Sequence, residues 1–174
     1  MSLAIFERLV AIIENGTYGT SGTTSLSAKA LRTFPDSIAP IAGNVVLILP
    51  RPDAGEWQAE SASQFTNRLS YDMHFYIQLI SEQNQAKGIA DAVNYADLAT
   101  NIFLARPQLS LLPKATYPDI AEIENRCGWQ ITSNLSTPIP YPPANVSSGQ
   151  GASFYWGFIA RLTVPYRRYI TLVI

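Results

Sequence analysis

From Arg68 to Ile80 apolar and wetter residues alternate: Leu69, Tyr71, Met73, Phe75, Ile77 and Leu79 are interleaved with Arg68, Ser70, Asp72, His74, Tyr76 and Gln78. A period of two does not fit a helix, whose side chains repeat every 3.6 residues, and predicts a strand with one buried face. At about 3.3 Å per residue the run would reach roughly 43 Å, beyond an ordinary strand, so part of it is expected to project from the domain or to bend.

The other elements are read around this strand. Leu3, Phe6, Leu9, Val10 and Ile13 recur at helical spacing, with Ser2 as N-cap and Gly16 placed to end the helix. Gly16 to Asn44 is a long connection, with a short helix at most around Ala28 to Thr33. Val45 to Leu49, closed by Pro50 and Pro52, reads as a short buried strand. A second helix is predicted from Ala86 to Arg106, its stripe formed by Ile89, Ala92, Val93, Ala96, Ala99, Ile102 and Phe103 and its end set by Pro107. Gly128 to Ser133 reads as a strand, and Leu135 to Ser153, with four prolines, as an extended loop. In the final strand Phe154, Trp156, Phe158, Ala160, Leu162 and Val164 share one face, and Tyr155, Ile159 and Thr163 leave the other largely apolar, which suits a central strand. Pro165 is expected to interrupt its ladder before Ile170 to Ile174.

The fold class is therefore α+β, an antiparallel sheet flanked by an N-terminal helix and a central helix, with long loops. A length of 174 residues with 47% hydrophobic content is ample for one core, so residues 1–174 are read as one domain with 165–174 as a C-terminal extension. Charged residues make up only 14%, well below the roughly 25% usual for globular chains. Less of the surface is defended by charge, which suits a surface covered by partners. A formal net charge of -1 supplies no footprint for nucleic acid or anionic lipid. The N-terminus lacks the basic region and cleavage site of a signal peptide, and no apolar run approaches the roughly 20 residues of a membrane span.

The parts for catalysis are few. His74 is the only histidine and Cys127 the only cysteine, which excludes an internal disulfide and multi-cysteine zinc sites. Asp72, His74 and Tyr76 share a strand face, and the choice lies between a surface pair and an orienter with its base; the surface pair is preferred. Gly16, Gly19 and Gly22 recur every third residue, yet they follow a helix and lack the Lys-Ser/Thr pair of a phosphate loop. Cys127 is read as a small buried hydrophobe. No enzyme activity, cofactor, metal or catalytic residue is expected.

Two features favour assembly instead. The apolar end Ile170-Thr171-Leu172-Val173-Ile174 either closes the domain's own sheet or adds to a neighbour's. Arg161, Arg167 and Arg168 beside Tyr166 and Tyr169 have the composition of interface anchors. The candidate subunit interface is accordingly Arg161, Tyr166, Arg167, Arg168, Tyr169, Ile170, Leu172 and Ile174.

The order of elements also carries a resemblance. An amphipathic helix, a proline-bounded strand from Val45 to Pro52, the long strand Leu69-Ser70-Tyr71-Asp72-Met73-His74-Phe75-Tyr76, a helix closing on Ala105-Arg106-Pro107 and the aromatic strand Tyr155-Trp156-Gly157-Phe158-Ile159-Ala160-Arg161-Leu162 resemble the tail-terminator or tail-completion proteins of tailed bacteriophages. The resemblance covers most of the chain and rests on element order and length, without a diagnostic motif. It implies a subunit without catalytic residues or cofactor that forms a homo-oligomeric ring, commonly a hexamer. That ring ends the tail tube, binds tube protein and joins the head connector or neck proteins. The location implied is the virion neck, assembled in the host cytoplasm. The long proline-rich loop and the chain beyond Pro165 depart from the pattern and equally suit another neck, head-completion or baseplate adaptor protein. A small hydrolase using Asp72 and His74, or a nucleotide-binding enzyme using the glycines, is the reading from a different class.

Overall fold

Helix α1 (Leu3–Asn15) opens the computed structural model, which describes residues 3–19, 22, 24–32, 43–51, 57–78, 85–113, 115–123, 127–131, 138–140 and 154–169. The helix buries Ile5, Leu9, Ile12 and Ile13 completely, while Leu3 is 70% exposed. Of the expected stripe Leu9, Val10 and Ile13 are buried and Phe6 packs partly buried against the core, so only Leu3 falls outside it, while the inward face extends further to Ile5 and Ile12. With apolar side chains on most of its circumference, the sheet it meets decides which of them are covered. At its end the Gly16 amide donates to the Ile12 carbonyl at 2.8 Å. A Cβ on Gly16 would lie 2.3 Å from that oxygen and 3.2 Å from Ile102 Cγ2, so only glycine lets the chain leave α1 this close to the second helix.

The connection that follows is more ordered than its composition suggests. Strands β1 (Thr17–Tyr18) and β2 (Thr24–Ser25) form a small antiparallel hairpin. Gly19 and Gly22, at φ 105° and 60°, supply its turn, closed by the Gly22 amide on the Gly19 carbonyl. The three-residue glycine spacing is therefore used by a helix end and a hairpin. Ala28 to Leu31, expected as a short helix, is instead strand β3, parallel to β4 (Asn44–Pro50). Pairing with β4 overrides the local helix preference of its alanines. The Ala30 amide, on the outer edge of the sheet, donates to Glu14 Oε1 at 3.3 Å, so α1 covers part of that edge.

One sheet organises the rest, in the order β3-β4-β6-β9-β7, with β5 (Gln58–Ala59) beside β6 and β8 (Pro138–Pro140) beside β9. Its axis is the antiparallel pair β6 (Gln64–Gln78) and β9 (Phe154–Tyr169), in register from Gln64↔Tyr169 to Gln78↔Tyr155. Strand β4 accompanies β6 only from Tyr71 to Tyr76, and β7 (Gly128–Ile131) accompanies β9 only from Ala160 to Thr163. The ribbon therefore runs past β4 and β7, and instead of projecting freely its two ends are paired by β5 and β8 within the same sheet. β6 begins at Gln64, earlier than the alternation signals, because Phe65 to Asn67 are held by β5 and β9. Leu79 and Ile80 lie outside the described residues.

Pro165 does not interrupt the ladder. It pairs with Arg68 inside β9, and the strand continues to Tyr169. The Arg167 amide points away from β6, donating to the Glu122 carbonyl at 2.8 Å. Two residues earlier the Pro165 nitrogen faces the same side, so its missing N–H removes nothing from the β6 pairing.

Helix α2 (Gln85–Leu104) covers the sheet face that bears Tyr71, Met73, Phe75, Phe158, Ala160, Leu162 and Val164, together with α1. Ala92, Ala96, Ala99, Ile102 and Phe103 are buried as the helical period predicts, but Val93 is 47% exposed. Beyond α2, Arg8 Nη1 donates to the Leu109 carbonyl at 3.0 Å and Nη2 to that of Pro118. Leu109 is itself fully buried with a left-handed backbone, φ 52°. One buried guanidinium thus fastens the irregular segment that leads from α2 to β7.

Candidate assembly surface

Strand alternation sorts the five described members of the expected interface onto two faces of β9. Arg161, Arg167 and Tyr169 lie on the face away from the helices, whereas Tyr166 and Arg168 lie on the helical side. Tyr166 packs partly buried against the core and bridges to Ile123. Arg168 is exposed, and Tyr169 is 69% exposed. Ile170, Leu172 and Ile174 lie outside the described residues. A short sequence cluster is thus divided by the strand's own period, and only its outer half forms one surface.

That outer face is built on charge. Arg161 Nε donates to Asp72 Oδ1 at 2.9 Å across the β6–β9 pair, and Arg51 Nη1 lies 3.5 Å from Oδ2. Asp72 thus ties β9 to the end of β4 through one carboxylate, each oxygen meeting a different arginine. Further along, Arg167 Nε lies 3.6 Å from Glu60 Oε2. Arg68, opposite Pro165, is exposed and forms no ion pair with a described residue. Arg68 belongs to this surface but not to the expected set, although the alternation from Arg68 to Gln78 already assigns it to the wetter face. Trp57, just before β5, is 46% exposed.

The same contacts bear on the weighing of Asp72 against His74. The Asp72 carboxylate is engaged by two arginines, and His74 sits between its cross-strand partners Leu47 and Ile159, with the Tyr76 ring at 6.5 Å. Burial lowers the imidazole pKa below its ordinary value of 6.5, and the Asp72 charge offsets part of that. His74 is therefore held neutral. An unfolded chain binds a proton there more readily than the folded one, so stability falls as pH drops through the ordinary histidine range and levels off below the folded pKa. The expected result is a stability difference between wild type and His74→Gln that shrinks from pH 8 to about pH 5. Denaturant melts across that range test it, and a pH-independent difference would show that the imidazole is not desolvated.

Cys127 is half-buried, and burial raises its thiol to about 11, so it stays protonated at neutral pH. An open depression of about 660 Å³ lies at the C-terminal end of α2, lined by Asn15, Tyr18, Gly19, Arg106 and Leu112 among others. Its arginine is already engaged, Nη1 with the Ile102 carbonyl at 2.7 Å and Nη2 with that of Thr17 at 2.6 Å. It closes the last turn of α2 and holds the hairpin against it. Among the described residues no three His, Cys, Asp or Glu side chains are grouped to hold a metal ion, and no helix is long and apolar enough to cross a membrane. No protein-family model matches the chain, and no curated protein matches its sequence.

Proposed function

We propose that this chain is a structural subunit of a tailed-bacteriophage virion, a tail terminator that forms an oligomeric ring, caps the tail tube and joins it to the head connector. The observation that carries the reading is the β6–β9 ribbon with α1 and α2 on one face, its main elements following one another as α1, β4, β6, α2 and β9 with short strands between them. This is the element order on which the resemblance rests. The arginine and tyrosine surface at the ribbon's end adds to it, because exposed side chains of this kind anchor protein contacts. In this reading the protein acts by geometry: paired β-strands hold a rigid surface, and copies and partners cover the weakly charged exterior. The ring is expected to be hexameric and to stop further tube addition by occupying the tube's end.

Native mass spectrometry of the purified chain, alone and with tail tubes assembled from a tube protein of the same genome, tests this. The expected result is a ring-sized species, formed freely or on the tube. A strict monomer at high concentration that also fails to bind tubes would overturn the reading.

A further inference from the structure

Two exposed surfaces on opposite sides of the sheet complement each other. On the outer face, at the end of the ribbon, Arg68 and Tyr169 are exposed and Arg167 is half-exposed, with Glu60 at 3.6 Å. On the helical side α2 presents Val93, Asp97 and Leu104, spaced by four and seven residues and so aligned on one stripe. Val93 is 47% and Leu104 58% exposed, and Asp97 forms no ion pair with a described residue. One surface is basic with a large aromatic, the other acidic with two aliphatic side chains. Each has the charge that the other lacks, and each leaves apolar side chains in water that the other would cover.

We infer that the ribbon end of one copy, through Arg68, Arg167 and Tyr169, docks on the Val93, Asp97 and Leu104 stripe of α2 in the next copy. This inference rests on the assembly reading and names the partner surfaces. The two patches lie on different sides of the sheet, so the contact is head-to-tail: each copy offers one patch forward and one behind. Such contacts propagate, closing into a ring when the rotation between copies divides a full turn. Opposite charges at an exposed interface also make the association weaken with salt.

Sedimentation velocity of the full chain at roughly 0.1 mM, in low salt and in about 0.5 M NaCl, tests the docking. Wild type is expected to self-associate, less so in high salt. Arg68→Glu and Asp97→Arg are each expected to weaken association about tenfold or more, with unchanged thermal melts because both positions are exposed. The chain carrying both substitutions, and an equimolar mixture of the two single variants, are expected to recover association, since in either case a head-to-tail contact brings the introduced carboxylate against the introduced guanidinium. Single variants that associate like wild type, or a combined variant without recovery, would overturn the docking while leaving the assembly reading intact. A monomeric wild type would overturn the docking, and the assembly reading falls with it only if tail tubes are not bound either.

Discussion

Replacing Phe75 with alanine is expected to lower stability by about 4 kcal/mol and the melting temperature by about 12 °C. Phe75 is fully buried at the centre of the sheet, where its cross-strand partner Phe158 stacks on it with centroids 4.5 Å apart and planes 8° from parallel. Trp129 and Tyr95 meet it edge-on at 6.3 and 6.4 Å, and Trp129 in turn stacks on Phe103 at 4.3 Å. Those neighbours have little freedom to collapse into the space. Phe158 is held by the β6–β9 register, Tyr95 by its hydroxyl on the Leu26 carbonyl at 2.7 Å, and Trp129 by Thr100 at 3.3 Å. The cavity term therefore adds to the lost transfer energy instead of relaxing away. Urea denaturation with Phe75→Leu as a milder companion checks this. A loss below about 1.5 kcal/mol for the alanine variant would mean that the aromatic cluster is not packed in this way.

Arg8→Met is expected to be nearly as damaging, at roughly 3 kcal/mol, although methionine suits a helix and a buried position. Arg8 is 7% exposed and sits over the Tyr117 ring, its carbon 5.6 Å from the centroid. Burial lowers its pKa, and Asp119 and Tyr117 offset part of that. Its value to the fold is the pair of carbonyls, Leu109 and Pro118, that it alone is seen to satisfy among the described side-chain contacts. Methionine would leave the buried Leu109 carbonyl without a donor and release the part-buried carbonyl of Pro118, an exposed residue. Lysine would supply charge but not the planar fork that reaches two oxygens at once. Hydrogen exchange should therefore show the segment after α2 opening before the sheet does. A near-neutral Arg8→Met in chemical denaturation, with unchanged exchange in that segment, would show that the carbonyls find other partners.

The strand faces were legible in the sequence, and so was most of the second helix. Tyr71, Met73, Phe75 and Ile77, and likewise Phe158, Ala160, Leu162 and Val164, are buried where a period of two places them. A run of apolar residues that long has one low-energy way to hide its side chains. The hairpin at Thr17 to Ser25 and strand β3 were not legible, because two to four residues carry too little periodicity to outweigh local preference. Pro165 misleads for a different reason. A proline marks a lost donor, but only the register tells whether that donor faces a partner strand.

The candidate surface divides along the same line. Its residue types, arginine and tyrosine near the end of the chain, are evident from composition. Their separation onto two faces follows once the strand is known to continue through Pro165, and Arg68 joins them only through pairing between distant parts of the chain, Arg68↔Pro165.

By itself, then, the amino-acid order determined which side chains share a face, that one imidazole and one thiol are all the chain has of those groups, and that the protein is α+β. Tertiary structure decided how far around α1 the buried face extends, that a charged residue in that helix is buried, and that β6 lies between β4 and β9. Periodicity is a property of neighbouring residues and can be read along the chain. Pairing and burial depend on what meets each face in space, and for Arg8 that is two carbonyls more than a hundred residues away.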